Sequence, residues 1–381
     1  GPDGTELASG MHVLTQATET LSFPGLQAEP VPSVLRGFSA PVILEFDYTD
    51  AQLLTLLAHD SDPFNCWEAG QRLAVNRALA FIAQEGAATD IRLDAPYVEA
   101  MRTILRNPRL DAAFKELVLT LPAESYIADQ LDVVDPQRIH AVREAMSEQL
   151  AQELRADWEW AFDAHNDNGA YEPDSVSAGR RALTGLALSH LCIAARRSGD
   201  TVWPGKALQR FKDAGNMTDR FNALAALVTS GHELATQALQ RFHAMFKDEA
   251  LVLDKWFALQ AGAPDRGGNI LTAVKQLMSH PDFSARNPNR ARSLIFAYCS
   301  ANPGAFHRAD AAGYVYWADR VIELDAFNPQ VAARLARALD RWKKLVEPLR
   351  GAAREAIARV AGKPDLSNDV REVVTRALAD K

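Results

Sequence analysis

Thr49-Asp50-Ala51-Gln52-Leu53-Leu54-Thr55-Leu56-Leu57-Ala58-His59-Asp60-Ser61-Asp62-Pro63-Phe64-Asn65-Cys66-Trp67 is where the apolar pattern of this chain changes period. Before Thr49 it alternates loosely; after it, apolar residues recur at about 3.6, the repeat of one face of a helix. Asp50 is placed to cap a helix carrying Leu53, Leu54, Leu56 and Leu57. Asp62-Pro63 starts a longer one through Trp67, Leu73, Ala74, Ala78, Leu79 and Ile82. An Asx side chain accepts the orphan N–H groups of a first turn, and proline at the first helical position lacks a donor that would be idle there.

The same signature recurs downstream. Asp62-Pro63, Asn107-Pro108, Asp135-Pro136, Asn287-Pro288, Asn302-Pro303 and Asn328-Pro329 each read as a helix start. The pattern predicts roughly fifteen to eighteen helices, most of about 10 to 20 residues, with short connections. Helix pairs of this kind stack into a curved solenoid. No fixed sequence period is visible, so the expected fold is mainly α, an irregular αα-superhelix and not a regular repeat array. The polar stretch from Asp163 to Asp174 reads as a surface loop, because helical patterning resumes with Ala178, Ala182, Leu183 and Leu186.

Upstream of Thr49, residues Met11 to Phe23 carry Val13, Thr15, Thr18, Thr20 and Phe23, which suits a strand. A Pro/Gly-rich stretch from Pro24 to Pro41 follows, then a second strand, Val42-Ile43-Leu44-Glu45-Phe46-Asp47-Tyr48. Two strands do not make a stable sheet alone. They are the remnant of a larger β-domain, or they lie against the helices. The division expected is therefore 1–48 for the β-remnant and junction, and 49–381 for the helical domain.

Composition narrows the function classes. With 41 basic against 49 acidic residues the net charge is −8, and no basic block interrupts the chain. That disfavours nucleic acid or an anionic membrane as the main partner. Cys66, Cys192 and Cys299 lie far apart and form no CxxC pair, which suits reduced thiols and a cytoplasmic setting. They read as small hydrophobes on helix faces. No apolar run approaches the roughly 18 residues that span a bilayer, and no signal peptide is visible. Gly1-Pro2 reads as a cleavage scar of recombinant expression, which fits a chain cut from something longer.

Catalytic motifs are missing. A zinc peptidase needs two histidines one turn apart on a helix with a glutamate between them to activate water. The near miss is Gly231-His232-Glu233-Leu234-Ala235-Thr236, where Thr236 stands in place of the second histidine. Gly231 ending one helix while His232-Glu233 opens the next is the better reading. There is no GxSxG elbow, and Trp203-Pro204-Gly205-Lys206 lacks the glycine-rich loop that cradles phosphate. Asp254 and Asp325 have no visible carboxylate partner. The chain carries no self-contained catalytic centre.

One string is unusually specific: Pro30-Val31-Pro32-Ser33-Val34-Leu35-Arg36-Gly37-Phe38-Ser39-Ala40-Pro41-Val42. It resembles the junction at which M1-family aminopeptidases of the bacterial aminopeptidase N (alanyl aminopeptidase) type pass from a small β-sandwich into a C-terminal helical domain. Further strings match that domain in order and spacing. They are Asn216-Met217-Thr218-Asp219, Leu253-Asp254-Lys255-Trp256-Phe257, Asn287-Pro288-Asn289-Arg290, Asn302-Pro303, Gly313-Tyr314 and Asn328-Pro329-Gln330-Val331-Ala332. The resemblance runs from about residue 12 to the end.

It implies a few β-strands from an incomplete β-sandwich domain followed by a complete helical domain, the non-catalytic back part of a broad-specificity enzyme that removes N-terminal residues from peptides. Zinc, its HExxH ligands and the α-amine-binding motif would lie in upstream catalytic domains of the same polypeptide, which the resemblance implies to be monomeric. No cofactor is expected in this chain. The helical domain would cap the active site and line an internal peptide chamber. Residue by residue, one carry-over is possible: Gln330 and Arg334 match positions that face the substrate cavity, and they lie one helical turn apart. Such a pair near a helix start offers donors and positive charge to a peptide carbonyl or carboxylate. It can equally be a solvated helix start, with Arg334 bridging to an acidic neighbour.

Arg290 and Arg292, cations in a first turn, oppose the helix dipole unless an anion compensates. They read as interdomain salt-bridge formers or chamber-lining charges. Trp256 and Phe257 read as core, with Asp254 as a cap. A different class stays open: an independent α-solenoid scaffold that binds proteins along its concave face. Such a scaffold is expected to begin with a capped, polar N-terminus, whereas this chain begins with lone strands.

Overall fold

The computed structural model describes residues 1, 3–166 and 169–379. Pro2 of the Gly1-Pro2 pair, and Asp167 and Asn168 of the expected polar loop, lie outside the described residues. Among the described residues, twenty α-helical segments follow one another from Asp50 to Leu378. Pro288–Ala291 and Ala297–Cys299 join through a π-turn at Arg292–Phe296 into a single rod, leaving nineteen separate helices, slightly more than the sequence suggests. Helices near in sequence pack on one another: Asp50–His59 on Pro63–Ala83, Arg155–His165 and Met217–Ser230 on Ser175–Ser198, and Ala312–Asp325 on Pro329–Ala336. This is the irregular αα-superhelix that the absence of a sequence period predicts.

The caps explain where most helices begin. Asp62, Asp135, Asn287, Asn302 and Asn328 each accept a backbone N–H of the following first turn, with proline just inside. Asn107-Pro108 does not start a helix. Asn107 ends Ala95–Arg106, its Oδ1 takes the Arg109 N–H at 2.9 Å to close a turn, and Asp111 caps the next helix through Phe114 N at 2.8 Å. The first helix is capped by Thr49 and not by Asp50: Thr49 and Gln52 form a reciprocal capping box. Asp163 lies inside Arg155–His165, so the polar loop is shorter than expected. Gly231 ends Met217–Ser230 with φ 69°, a left-handed conformation that glycine adopts without strain.

A single large core runs through the array, and Trp158, Trp317, Tyr298, Phe306 and Phe257 are completely enclosed in it. Its enclosed indoles are partnered: that of Trp158 donates to Leu150 O at 3.1 Å and that of Trp317 to Leu335 O at 3.0 Å. All three cysteines are buried, and burial pushes the Cys66 and Cys192 thiols up to about 12. They are the inert core thiols their spacing suggests.

Residues 11–23 and 42–48 form no ladder among the described residues. The one isolated bridge joins Val134 to Leu345. The two expected strands have no third strand to pair with, and two alone bury too little. Met11, Val13, Leu14 and Ile43 stay exposed, Ile43 by 93%. Tyr48 does anchor the segment, donating its hydroxyl to Pro32 O at 2.7 Å.

Candidate functional site

Helix Pro329–Ala336 buries Val331, Ala332, Leu335 and Ala336, and the Trp317 indole pins its C-terminal carbonyl at Leu335. The remaining face carries Gln330 and Arg334, both exposed and one turn apart, as the i,i+4 spacing requires. Two 3-10 turns, Arg337–Leu339 and Trp342–Lys344, carry the chain on to Leu345. There it meets Val134: Val134 N donates to Lys344 O at 2.7 Å and Val346 N to Val134 O at 3.0 Å.

This junction encloses a groove of about 630 Å³. Its walls come from 124–139, 296–307 and 334–345, three segments far apart in sequence. Arg334 lines it; Gln330 does not. The structure thus places one member of the sequence-derived pair on the groove and the other beside it. Arg337, Arg341, Lys344, His307 and Trp342 join Arg334 there, and sequence reasoning did not select them. The available signal was the basic spacing Arg334, Arg337, Arg341, three and four residues apart.

The charges divide into satisfied and free. Arg341 pairs with Asp129, and Lys344 donates to Leu131 O at 3.0 Å. Glu124 takes the His140 ring through Oε1 at 2.7 Å, while its buried Oε2 has no partner among the described residues. That hydrogen bond holds the His140 imidazole above its ordinary range, against the opposing effect of burial. Burial raises the Asp340 carboxyl, with Arg337 and Arg376 pulling the other way. Enclosure alone lowers His307 to about 4, so it is neutral near pH 7, with its Nδ1 against the Tyr314 hydroxyl at 2.7 Å. The side chains of Arg334 and Arg337 make no hydrogen bond or ion pair among the described residues, although the Arg337 charge acts on Asp340. The groove therefore presents the Arg334 guanidinium, with that of Arg337 beside it, next to an apolar wall of Val134, Ile139, Phe296 and Leu339. Chemically it can hold a carboxylate or a peptide carbonyl next to an apolar side chain.

Other sequence candidates fall elsewhere. Asp254 is not a cap: it lies within Ala250–Ala261 and pairs with Arg290 at 2.6 Å. Arg290 is thereby buried within the helical array and serves neither an interdomain bridge nor a chamber, whereas Arg292 is exposed and its guanidinium donates to Asn289 Oδ1 at 3.3 Å. Trp256 and Phe257 are core, as expected. At the near-miss string, His232 Nδ1 accepts the Leu234 N–H at 3.2 Å and Thr236 sits one turn beyond. This donor set does not fit a catalytic zinc.

Comparison with known proteins agrees along almost the whole chain. A family described as "Domain of unknown function (DUF3458_C) ARM repeats" matches residues 50–379, and one described as "Domain of unknown function (DUF3458) Ig-like fold" matches residues 1–47. Aminopeptidase N of Escherichia coli K12 is 34% identical over 366 residues, 96% of this chain and 41% of that protein. Aminopeptidase N of Caulobacter vibrioides is 36% identical over the same shares. The crystal structure of Legionella pneumophila aminopeptidase A in complex with aspartic acid superposes with a TM-score of 0.81 at 27% identity, covering 92% of this chain and 41% of that one. The chain thus spans about two fifths of the length of the curated relatives it matches. It belongs to the DUF3458_C ARM-repeat family and corresponds to the C-terminal part of a bacterial aminopeptidase N.

Proposed function

We propose that this chain is the non-catalytic C-terminal portion of a zinc-dependent, M1-type metalloaminopeptidase that removes N-terminal residues from peptides in the cytoplasm. In this reading, 1–48 is the end of a small β-sandwich domain and 49–381 is the helical domain. It docks on upstream catalytic domains of the same polypeptide, caps their active site and lines the substrate chamber. The parent's catalytic part supplies the zinc chemistry, and no step of bond cleavage runs through residues of this chain. Arg334 and Gln330 hold the peptide beyond the cleaved bond, with Arg337 beside them.

The observation that carries this reading is Arg334, whose side chain makes no hydrogen bond or ion pair among the described residues, on an apolar-walled groove. A guanidinium with no internal partner is free to bind an anionic or carbonyl group arriving from outside. The exposed apolar side chains of 11–46 supply a second support, since they suit coverage by a neighbouring β-domain. The test is release of a chromogenic amine from an alanyl substrate by the separately expressed upstream half, with zinc present, as this chain is titrated in. Activity that rises saturably is expected. An upstream half that neither responds nor binds would replace this reading with that of an independent scaffold.

A further inference from the structure

We propose that His243, His280 and Asp282 form a binding site for a late first-row divalent metal ion, of which zinc is the probe of choice, on the side of the helical array formed by Leu234–Phe246 and the turn after Ile270–Met278.

The three donor atoms all lie within 4.8 Å of one another. His243 Nε2 is 2.6 Å from Asp282 Oδ2. His280 Nδ1 is 3.7 Å from the same oxygen. That second distance is too long for a hydrogen bond, but two ligands on one ion with bonds of about 2.0–2.1 Å sit at a similar separation, roughly 3.3 Å in tetrahedral geometry. The His243 contact is a hydrogen bond that must open by under an ångström, with the ion replacing the shared proton. Two imidazoles and one carboxylate with an open fourth position suit zinc, nickel or copper far better than magnesium or calcium, which prefer all-oxygen shells.

The donors are held in place from several sides. His280-Pro281-Asp282-Phe283 is a closed turn, with Phe283 N donating to His280 O at 2.9 Å. The His243 and His280 rings stand 4.9 Å apart and pack on Trp256 at 5.0 and 5.3 Å. Trp256 is itself fixed by its indole, which donates to Leu239 O at 3.0 Å. His243 also lies in the last turn of Leu234–Phe246, where the helix dipole favours a cation.

Charge is suitable as well. Asp282 supplies the one carboxylate, and its Oδ2 is the oxygen that both imidazoles approach. His280 Nδ1 accepts the Asp282 N–H at 3.2 Å, a long contact that an ion bound at this nitrogen would displace. Arg290 is the opposing group nearby, since its guanidinium donates to the Asp282 carbonyl. Its charge is matched by Asp254 at 2.6 Å, which leaves the Asp282 carboxylate to face the two imidazoles.

The test is titration of zinc chloride into this chain by isothermal calorimetry after chelator treatment, with thermal unfolding alongside and magnesium as control. Binding of one equivalent and a zinc-dependent rise in Tm that magnesium does not reproduce are expected. Affinity should fall about tenfold or more in both His243→Gln and His280→Gln. An isotherm unchanged in these variants, or no binding above that of the double variant, overturns the site. Should a variant fail to fold, carbethoxylation of the unaltered chain serves instead. Zinc must then protect His243 and His280 selectively, and equal labelling with and without zinc overturns the proposal.

Discussion

Arg290 Nε lies 2.6 Å from Asp254 Oδ1, and the same guanidinium sits over the Phe257 ring, 5.0 Å from its centroid. Arg290 Nη1 also donates to Asp282 O. One enclosed cation thus ties helix Ala250–Ala261 to the turn before Pro288 and to the first turn of the next helix.

Removing one member of this pair leaves the other charge enclosed without compensation. Asp254→Asn or Arg290→Met should each destabilise by roughly 3–5 kcal/mol. Urea unfolding checks this: the midpoint should fall with the slope unchanged. The double variant Asp254→Leu, Arg290→Met should recover much of the loss. Single variants within a few tenths of a kcal/mol of the parent chain would refute a structural role.

Two enclosed histidines set the acid limit. Burial lowers His190, stacked on Trp158 with ring centroids 4.3 Å apart, and His307, each to about 4 from an ordinary 6.5. Both must stay neutral in the folded chain. Their contribution is fully present above 6.5 and is lost as pH falls through about 4, at about 1.4 kcal/mol per unit for each group. Stability measured in urea between pH 7.5 and 4.5 should therefore fall steeply, and His190→Phe should flatten that fall. An unchanged slope would count against it.

His140 has the opposite sign. Its pKa is raised by the Glu124 hydrogen bond, so this contribution is complete below 6.5 and disappears as pH rises through the folded value. Glu124→Gln should destabilise at pH 5.5 and have a smaller effect at pH 8.5. Comparing unfolding midpoints at the two values decides it, and an equal effect at both would contradict the assignment.

In the complete parent enzyme, Arg334→Ala should raise KM for peptides while leaving short aminoacyl amides nearly unaffected. Loss of a hydrogen bond to a charged group, about 1.5–3 kcal/mol, corresponds to tenfold or more. Equal changes for both substrates would remove Arg334 from the peptide site.

Capping chemistry was legible because it is local. Five of the six Asx-Pro pairs start helices, since the cap needs only an oxygen and the next three residues. Asn107 misled because an Asx oxygen closing a turn looks the same in sequence, and Asp111 gave the following segment a better cap. Arg290 carried a correct signal, a first-turn cation in need of an anion, but its partner is 36 residues away. Of the groove only Arg334 was legible. Gln137 reaches Gly304 O and His307 O across 167 and 170 residues, contacts that no periodicity encodes.

The seam at Val134 and Leu345 bears on synthesis as well as on shape. A chain emerging from the ribosome delivers residue 134 long before residues 344–346, which hold its N–H and C=O. Early helices can pack on their neighbours as they appear, but the groove has no third wall until residues 334–345 have been made. A product truncated before Lys344 would retain most of the helical array while lacking the seam that closes the groove.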